Sequence, residues 1–244
     1  MIDFPRCFQR IVPVGALLAV PVAATAQEDP ILGGNVSLSS DYVFRGLSQT
    51  EDNIQLQGEL SWTHPSGLYA GVWSTNTHMG GEGNSIEFDP YVGFAGELGD
   101  RGFVYDVGYW HYFFPGADAD FDFGEFYAIP GYATGPWSLT LELWYALDYF
   151  GSDFFEDTSS LAYAGRVAHD FGPVALSAGL GQQTFDEPAG LPSQDYIYYD
   201  IGVSGDWRGV TLEASWHNTD GVEPDLATAD AADSRFVVGI SRGF

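Results

Sequence analysis

Apolar and polar residues alternate along several stretches of the chain. One face of Asn53–Thr63 carries Ile, Leu, Leu and Trp, and the other face carries Gln, Gln, Glu and Ser. The stretches Trp137–Tyr149 and Val210–His217 alternate in the same way. A period of two residues predicts β-strands with one apolar face and one polar face. No apolar run after residue 26 approaches the roughly 18 residues that a transmembrane helix needs.

Turn-forming residues divide the rest of the chain into twelve predicted strands. Five connections are tight, and the other six are mostly longer and acidic. Short turns that alternate with longer loops are typical of outer-membrane barrels. We therefore predict an all-β fold, a transmembrane antiparallel up-and-down β-barrel of about 12 strands. The predicted strands are 35–47, 53–63, 68–76, 86–97, 103–113, 124–133, 137–149, 160–170, 174–183, 195–205, 209–218 and 234–244.

A soluble β-sandwich is the alternative fold, because its strands also have one apolar face. Large aromatic residues near the ends of the predicted strands favour the membrane, where aromatic girdles lie at both interfaces. This predicted girdle contains Tyr42, Phe44, Trp62, Phe103, Phe113, Trp137, Tyr149 and Trp216. Two prolines, Pro90 and Pro130, lie on predicted strands, and we expect each to mark a bulge or a strand end because proline has no N–H.

Composition narrows the function classes. The 244 residues contain 34 Asp and Glu, eight basic residues that are all Arg, and 16% aromatic residues. A net charge of −26 excludes nucleic acid as a partner, because the phosphate backbone would repel the protein. The aromatic content argues against disorder.

The first 26 residues have the features of a secretory signal peptide. Arg6 and Arg10 precede the apolar run Ile11–Ala24, and Ala24-Thr25-Ala26 matches a signal-peptidase site. A membrane anchor is the alternative, but the run is short for a span of about 20 residues and contains two prolines. We expect the mature barrel domain to cover residues 27–244.

A stretch near the mature start resembles a known family. Residues 39–50, S-S-D-Y-V-F-R-G-L-S-Q-T, resemble the opening strand of the TorF family of outer-membrane porins. Residues 67–76, 88–100 and 104–109 are similar to the hairpin and strands that follow in that family. The resemblance is strong over 39–113 and diffuse afterwards, apart from the terminal strand. It implies a porin-like barrel and no particular substrate.

If the apolar face meets lipid, the polar face lines the lumen. Carboxylates outnumber arginines on that face, which favours a narrow, cation-preferring pore for small solutes. The alternative is a non-conducting structural or adhesive barrel whose lumen is plugged, since several inward Trp and Tyr could occlude the bore. The candidate pore-lining residues are Asp41, Arg45, Glu59, Glu87, Asp89, Asp106, Glu142, Asp148, Arg166, Asp200 and Glu213.

Two of these residues are basic, and each has two interpretations. Arg45 lies four residues after Asp41 on the predicted inward face. It forms either a lumen constriction or a buried ion pair that fixes the barrel wall, and we favour the ion pair. The same alternatives apply to Arg166.

Little in the sequence points to catalysis. Cys7, the single cysteine, lies in the predicted signal peptide. His217 is predicted to face inward near Ser215, but no serine lies in a nucleophile motif. The acidic run 118–125 departs from the spacing of a calcium loop. We expect no enzyme, no metal and no cofactor, and we keep an outer-membrane hydrolase as the weaker alternative.

The final strand ends in Phe244 after alternating apolar residues. This ending resembles the signal by which outer-membrane proteins are handed to the barrel assembly machinery. The expected partners are therefore that machinery, outer-membrane lipid and lipopolysaccharide, and small solutes or cations. The expected location is the bacterial outer membrane.

The predicted signal peptide gives a direct test. Mature protein should fractionate with the outer membrane, shift on unheated gels and begin at Gln27, because cleavage follows the Ala24-Thr25-Ala26 site. N-terminal sequencing of the membrane fraction measures the start. Recovery of the protein as a soluble periplasmic species would contradict the barrel hypothesis.

Overall fold

The computed structural model describes residues 31–78, 85–117, 121–151, 158–186, 193–224 and 226–244. The predicted signal peptide, residues 1–26, lies outside the described residues, as do positions 118–120 of the acidic run. In the described part of the chain, no helix is both long and apolar enough to cross a membrane.

Twelve antiparallel strands close into one barrel, which confirms the predicted fold. Around the wall the strands follow their chain order. The first wall strand, Ile31–Ser39, pairs with both the second, Gln55–Thr63, and the last, Arg235–Gly243, which completes the circle. The wall strands are β1 (Ile31–Ser39), β4 (Gln55–Thr63), β5 (Leu68–Thr75), β6 (Glu87–Leu98), β7 (Phe103–Tyr112), β8 (Phe123–Thr134), β9 (Trp137–Ala146), β10 (Ser159–Asp170), β11 (Ala175–Asp186), β12 (Tyr196–Trp207), β13 (Val210–Asp220) and β14 (Arg235–Gly243).

Three short elements lie outside the wall. The strands β2 (Val43–Phe44) and β3 (Leu47–Ser48) form a small two-stranded sheet between β1 and β4. The four-residue helix α1 (Ala229–Ala232) lies between β13 and β14. Thr228 caps its start by accepting a hydrogen bond from the Ala231 N–H.

The outer surface of the barrel is apolar, as the alternation predicts. On β4, Leu56, Leu60 and Trp62 face outward, whereas Gln55 and Gln57 are buried inside. The same pattern continues on β9 and β13, where Leu139, Leu141 and Leu212 face outward. A band of exposed Leu, Ile, Val and aromatic side chains around a closed barrel is suited to contact with lipid.

Most strand boundaries agree with the predicted ones to within about three residues, the usual uncertainty of such boundaries. The first strand is an exception. It covers Ile31–Ser39, whereas the sequence predicted 35–47. The last eight residues of the predicted strand turn into the barrel instead. A second difference is at β9, which ends at Ala146 and not at 149.

Pro90 and Pro130 mark neither a bulge nor a strand end, so that expectation was wrong. Pro90 lies within β6 and Pro130 within β8. Each proline interrupts the ladder with one neighbouring strand and stays in register with the other, opposite Val72 and Tyr105 respectively. The missing N–H therefore breaks the pairing locally on one side, and the continuous ladder on the other side keeps the register.

Three residues of the predicted aromatic girdle lie inside the barrel. Tyr42 and Tyr149 are buried, and Phe44 packs against the buried cluster. All three lie beyond the ends of β1 and β9, where the chain has turned inward and the two-residue alternation no longer applies. Trp62, Phe103, Phe113 and Trp137 are exposed on the outer face, as predicted.

The seam between the first and last strands closes the barrel. Five residue pairs join β1 to β14, and the backbone of Phe244 exchanges two further hydrogen bonds with Gly34, at 3.0 and 3.1 Å. The Phe244 side chain itself is largely exposed on the outside. Phe244 therefore contributes to closure of the barrel through its backbone, and its ring lies on the outer surface.

Deletion of Phe244 should strongly reduce the amount of folded barrel in the membrane, because the seam loses two backbone hydrogen bonds and the terminal aromatic residue together. The measurement is the heat-modifiable band on unheated gels, compared with total synthesised protein. The matched control is Phe236→Ala, which removes an equally exposed ring from the same strand. Equal membrane levels for the two variants would show that the chain end has no special role.

Candidate functional site in the barrel lumen

Alternation places eight of the candidate pore-lining residues on the inner face of the wall. Their side chains are buried or half-buried in the bore, while their neighbours along each strand face outward. These residues are Glu59, Glu87, Asp89, Asp106, Glu142, Arg166, Asp200 and Glu213. Whether they line a conducting pore stays a prediction.

Asp148 does not lie on the inner wall, contrary to the sequence prediction. β9 ends at Ala146, and the side chain of Asp148 is exposed. Tyr149 and Phe150 turn into the barrel, where the Tyr149 ring packs on Phe123 at 4.9 Å between centroids. Burial of these two aromatic rings ends the strand early and leaves Asp148 facing solvent.

The segment 40–54, which we call the inner hairpin, folds into the lumen. Its strands β2 and β3 are joined by Arg45 and Gly46, whose φ values are 47° and 85°. Positive φ at both central residues is the geometry of a tight hairpin turn, which glycine adopts without strain. A Cβ at Gly46 would lie 2.5 Å from Thr219 Cγ2 of β13, so the turn approaches the wall closely.

Asp41 and Arg235 hold the base of the inner hairpin. Asp41 Oδ1 accepts hydrogen bonds from the hydroxyls of Ser48 and Thr50, both at 2.7 Å. Its Oδ2 accepts from Arg235 Nη1 of β14 at 2.8 Å, and the same Nη1 donates to Asp52 Oδ1 at 2.6 Å. One buried guanidinium therefore binds both ends of the segment to the wall.

Arg235 also binds the short helix α1. Its Nη2 donates to the carbonyls of Asp230 and Ala231 at 2.8 and 2.7 Å. The sequence prediction missed Arg235 as a lumen residue. The signal was available, because Val237 and Gly239 follow it on the inner phase of the last strand while Phe236 and Val238 face outward.

Arg45 holds the tip of the inner hairpin on the far side of the bore. Its Nη2 lies 2.6 Å from Glu125 Oε2 on β8, and its Nη1 donates to Gln183 Oε1 on β11 at 2.7 Å. In the order β1-β4-β5-β6-β7-β8, β8 lies five strands from β1 in a wall of twelve. The ion pair that the sequence favoured is therefore present, but it crosses the lumen and does not join neighbours in the wall.

The surroundings of two residues of the inner hairpin, Arg45 and Tyr42, shift their pKa values. Burial disfavours the charge on Arg45, but the carboxylate of Glu125 and three nearby tyrosines together outweigh this and raise the pKa of Arg45 well above its usual value. Burial, with the nearby charges of Glu87 and Asp89, also raises the pKa of Tyr42. Arg45 therefore stays charged, and the Tyr42 hydroxyl stays a neutral donor to Glu87 at 3.3 Å.

Glu125 was missed as a lumen residue, because the sequence analysis assigned it to an acidic run. It lies on β8 with Tyr127 and Ile129 on the inner phase, and it is fully buried. Tyr112 also donates a hydrogen bond to its Oε2 at 3.0 Å. The alternation of Phe126 and Ala128 on the outer phase was the signal that could have identified Glu125.

Arg166 matches the interpretation as an ion pair of the wall. Its Nε lies 2.8 Å from Glu142 Oε1 on β9, and its Nη1 lies 2.7 Å from Asp200 Oδ1 on β12. The two acceptors flank β10 and β11, so the guanidinium spans neighbouring strands on one side of the bore.

A belt of aromatic side chains fills the bore at the level of the inner hairpin. Rings from neighbouring strands pack on one another: Tyr91 stacks on Trp110 at 4.5 Å between centroids, and Tyr127 packs on Trp144 at 4.7 Å. The alternation predicted seven inward Trp and Tyr residues, and all seven are buried from solvent. They are Trp73, Tyr91, Trp110, Tyr112, Trp144, Tyr196 and Tyr198. The belt and the inner hairpin pack against each other inside the bore.

Negative groups exceed positive groups in the lumen. Within the described residues and away from the rims, the bore encloses nine carboxylates and three arginines. The carboxylates are Asp41, Glu59, Glu87, Asp89, Asp106, Glu125, Glu142, Asp200 and Glu213, and the arginines are Arg45, Arg166 and Arg235. The formal balance is therefore strongly negative.

The carboxylates without an arginine partner mostly accept hydrogen bonds from aromatic side chains. Asp106 accepts from the Tyr69 hydroxyl at 2.5 Å, Asp89 accepts from Trp110 Nε1 at 2.9 Å, and Glu59 accepts from Tyr91. Glu213 Oε1 is buried and has no hydrogen-bond partner among the described residues, and the same is true of Asp89 Oδ1. The aromatic donors are neutral, so they satisfy the acceptors without supplying an opposing charge.

One serine and one histidine lie in contact on β13. Ser215 Oγ is 2.8 Å from His217 Nε2, and both side chains are buried in the lumen. This geometry satisfies the hydroxyl and matches the expected lumen hydrogen bond. Among the described residues, no group of three or more His, Cys, Asp or Glu side chains could hold a metal ion.

The base of the inner hairpin can be tested by Asp41→Asn. This change leaves the buried Arg235 with less compensation, and breaking a buried pair typically costs about 3–5 kcal/mol. The measurement is the free energy of unfolding in urea, followed by tryptophan fluorescence of the barrel in lipid vesicles. The control is Asp100→Asn, an exposed turn residue. Equal stability of the two variants would show that the Asp41 contact carries no net energy.

Comparison with known proteins shows both a family and a fold. Residues 23–244 match the model of a family described as bacterial protein of unknown function (Gcw_chp). No curated protein matches the sequence.

Three solved structures share the barrel fold at low sequence identity. The NanC porin has a TM-score of 0.57 at 11% identity, over 86% of this chain and 98% of that one. Outer membrane phospholipase A from Escherichia coli has a TM-score of 0.52 at 15% identity, over 86% of this chain and 95% of that one. The calcium-bound dimer of the Salmonella typhi phospholipase has a TM-score of 0.51 at 15% identity, over 95% and 98%.

At these identities the solved structures show the fold alone, which is the fold of outer-membrane barrels. The family match is broader, because it extends over nearly the whole sequence. The chain therefore belongs to the Gcw_chp family of bacterial proteins.

Proposed function

We propose that the protein is an outer-membrane porin that forms a narrow, cation-preferring pore for passive diffusion of small solutes. The observation that carries the proposal is the excess of enclosed carboxylates over arginines in a closed twelve-strand barrel. Carboxylates that surround a bore lower the energy of a cation and raise that of an anion.

The width of the barrel supports a small pore. Eight strands give a filled interior and 16–18 strands leave a wide aqueous channel, so about twelve strands leave a narrow bore. The Debye length is about 8 Å at physiological salt, so an ion in a bore of similar width is influenced by several carboxylates at once. Selectivity by charge therefore follows without any single dedicated binding site.

A non-conducting structural or adhesive barrel is the second candidate. The aromatic belt favours it, because Tyr91, Trp110, Tyr127 and Trp144 pack ring against ring inside the bore. A permanently sealed lumen would leave the carboxylates as partners in a plug. Conductance distinguishes the two candidates, since the sealed barrel passes no ions.

We also propose that the protein is not an enzyme. Two of the structural neighbours are phospholipases, but similarity at 15% identity is evidence for the fold only. The Ser215–His217 contact is buried in the lumen, away from the lipid-facing surface of the barrel. In a hydrolysis assay with the purified protein, all of the lipid substrate should remain uncleaved.

The resemblance of residues 39–50 to the TorF porins agrees with the proposal. The location that follows is the outer membrane, after export with a signal peptide cleaved before Gln27. The partners that follow are lipopolysaccharide and lipid around the apolar band, the barrel assembly machinery at the Phe244 end, and small cations or solutes in the lumen.

The proposal is tested by conductance in a planar bilayer with a salt gradient. Wild-type protein should give a reversal potential that favours cations and weakens at high salt, because salt screens the lumen charges. Replacement of Glu59, Glu87, Glu142 and Glu213 by Gln together should reduce that preference.

The matched control replaces four exposed acids, Asp100, Asp148, Asp186 and Glu223, by their amides and should change the reversal potential little. An anion preference in the wild-type channel contradicts the proposal. A folded barrel that never conducts favours the sealed alternative.

A further inference from the structure

We propose that the inner hairpin, residues 40–54, is a movable gate that closes the bore from within and that opens when its two arginine contacts are released. This inference rests on the proposed pore function. It concerns the motif that the sequence analysis assigned to the opening strand. The structure places that motif inside the lumen and away from the wall.

The wall does not depend on the hairpin for closure. β1 pairs with β14 and β4 over residues 31–39 and 55–63, and the hairpin contributes no strand to this ladder. Its described backbone hydrogen bonds to neighbouring segments lie near the base, at Ser40 to Val238 and at Gln49 to His78. The segment can therefore leave the bore while the barrel stays closed.

The tip of the hairpin is held by side chains. Arg45 binds Glu125 and Gln183 across the bore, and its guanidinium lies over the rings of Phe44 and Trp144 at 4.6 and 5.9 Å. Tyr42 packs on Trp73 at 5.6 Å between centroids. Charged and aromatic contacts of this kind can be replaced by water when the segment moves, whereas a backbone ladder cannot be broken without cost at every residue.

The backbone of the segment is also strained. Arg45, Glu51 and Asp52 have φ values of 47°, 52° and 60°, in the left-handed region that non-glycine residues adopt rarely. Such conformations persist only while surrounding contacts hold them, and they are common in switch regions. Release of the arginine contacts would relieve this strain.

Opening of the gate would alter charge as well as width. Departure of Arg45 leaves Glu125 without its cation, and departure of Tyr42 leaves Glu87 without its hydroxyl donor. Both carboxylates then face the bore. The open bore therefore exposes more acidic groups than the closed one, and opening changes the charge of the lumen as well as its width.

The test compares Arg45→Gln with Glu125→Gln in planar bilayers. Each variant breaks the same contact, but they change the lumen charge in opposite directions. If the contact holds the gate shut, the open fraction should rise by about tenfold or more in both variants, since loss of a buried ion pair shifts a two-state equilibrium by at least that factor. The exchanged pair, Arg45→Glu with Glu125→Arg, should return the open fraction towards that of the wild type.

The matched control is Arg166→Gln, which removes one positive charge from the wall without touching the hairpin. It should raise cation preference and leave the open fraction unchanged. Folding of every variant is checked by the band shift on unheated gels. Replacement of residues 42–49 by a short Gly-Ser linker is the second route to an open bore, if either single variant fails to fold.

The outcomes separate this inference from the pore proposal. A higher open fraction in both contact variants, reversed by the exchanged pair, supports the gate. A wild-type channel whose open fraction is unchanged by either variant and by the linker overturns the gate and leaves the pore proposal standing. Folded barrels that stay silent even with the linker overturn both.

Discussion

The need to pair every backbone N–H and C=O determines the architecture of this protein. A sheet that faces lipid has no water to satisfy an open edge, so its first and last strands must meet. Here the seam between β1 and β14 provides that closure, and the backbone of Phe244 extends it to the end of the chain. Once the sheet is closed, each strand has an inside and an outside, and the alternation of its residues follows from that division.

Closure also creates the chemical problem of the interior. The lumen of a twelve-strand barrel is too narrow to solvate its side chains as freely as a wide porin channel does. Most of the inward carboxylates are therefore bound by other inward side chains. Tyrosine hydroxyls donate to Asp106, Glu59 and Glu87, and an indole donates to Asp89. Guanidinium groups bind Asp41, Glu125, Glu142 and Asp200. Since aromatic donors are neutral, they satisfy these carboxylates without adding positive charge, and acidic groups outnumber basic groups in the lumen.

The sequence predicted the wall well because the wall obeys one local rule. Wherever one face of a strand meets lipid, apolar and polar residues must alternate with a period of two. The number of strands, their order and the side on which each residue lies were predicted from this alternation. Glu59, Asp106 and Glu213 were located by that rule alone. Arg235 follows the same rule, because it shares the inner phase of β14 with Val237, but the list of predicted pore-lining residues did not include it.

The inner hairpin could not be predicted in this way, because its local sequence, apart from the Arg45-Gly46 dipeptide, is compatible with a strand. Its residues alternate as those of a strand do, and Asp41 and Arg45 share a phase. What turns the chain inward is a set of contacts at long range, from Arg45 to Glu125 and Gln183 and from Arg235 to Asp41. The Arg45-Gly46 dipeptide, a turn with positive φ, was the one local sign.

The absence of lysine from this chain fits how its lumen is held together. Each enclosed arginine binds acceptors on two different elements: Arg45 joins Glu125 to Gln183, Arg166 joins Glu142 to Asp200, and Arg235 joins Asp41 of the inner hairpin to carbonyls of α1. A planar guanidinium presents five donors in a fixed fork, so one side chain can connect two elements with defined geometry. A lysine ammonium is a compact, strongly hydrated charge on a flexible stem, and it would fix neither distance nor direction. Among the residues that the structure describes, the bore has three arginines and nine carboxylates. Three guanidinium groups can therefore fix the arrangement of the interior, although nine positive charges would be needed to neutralise all of its carboxylates.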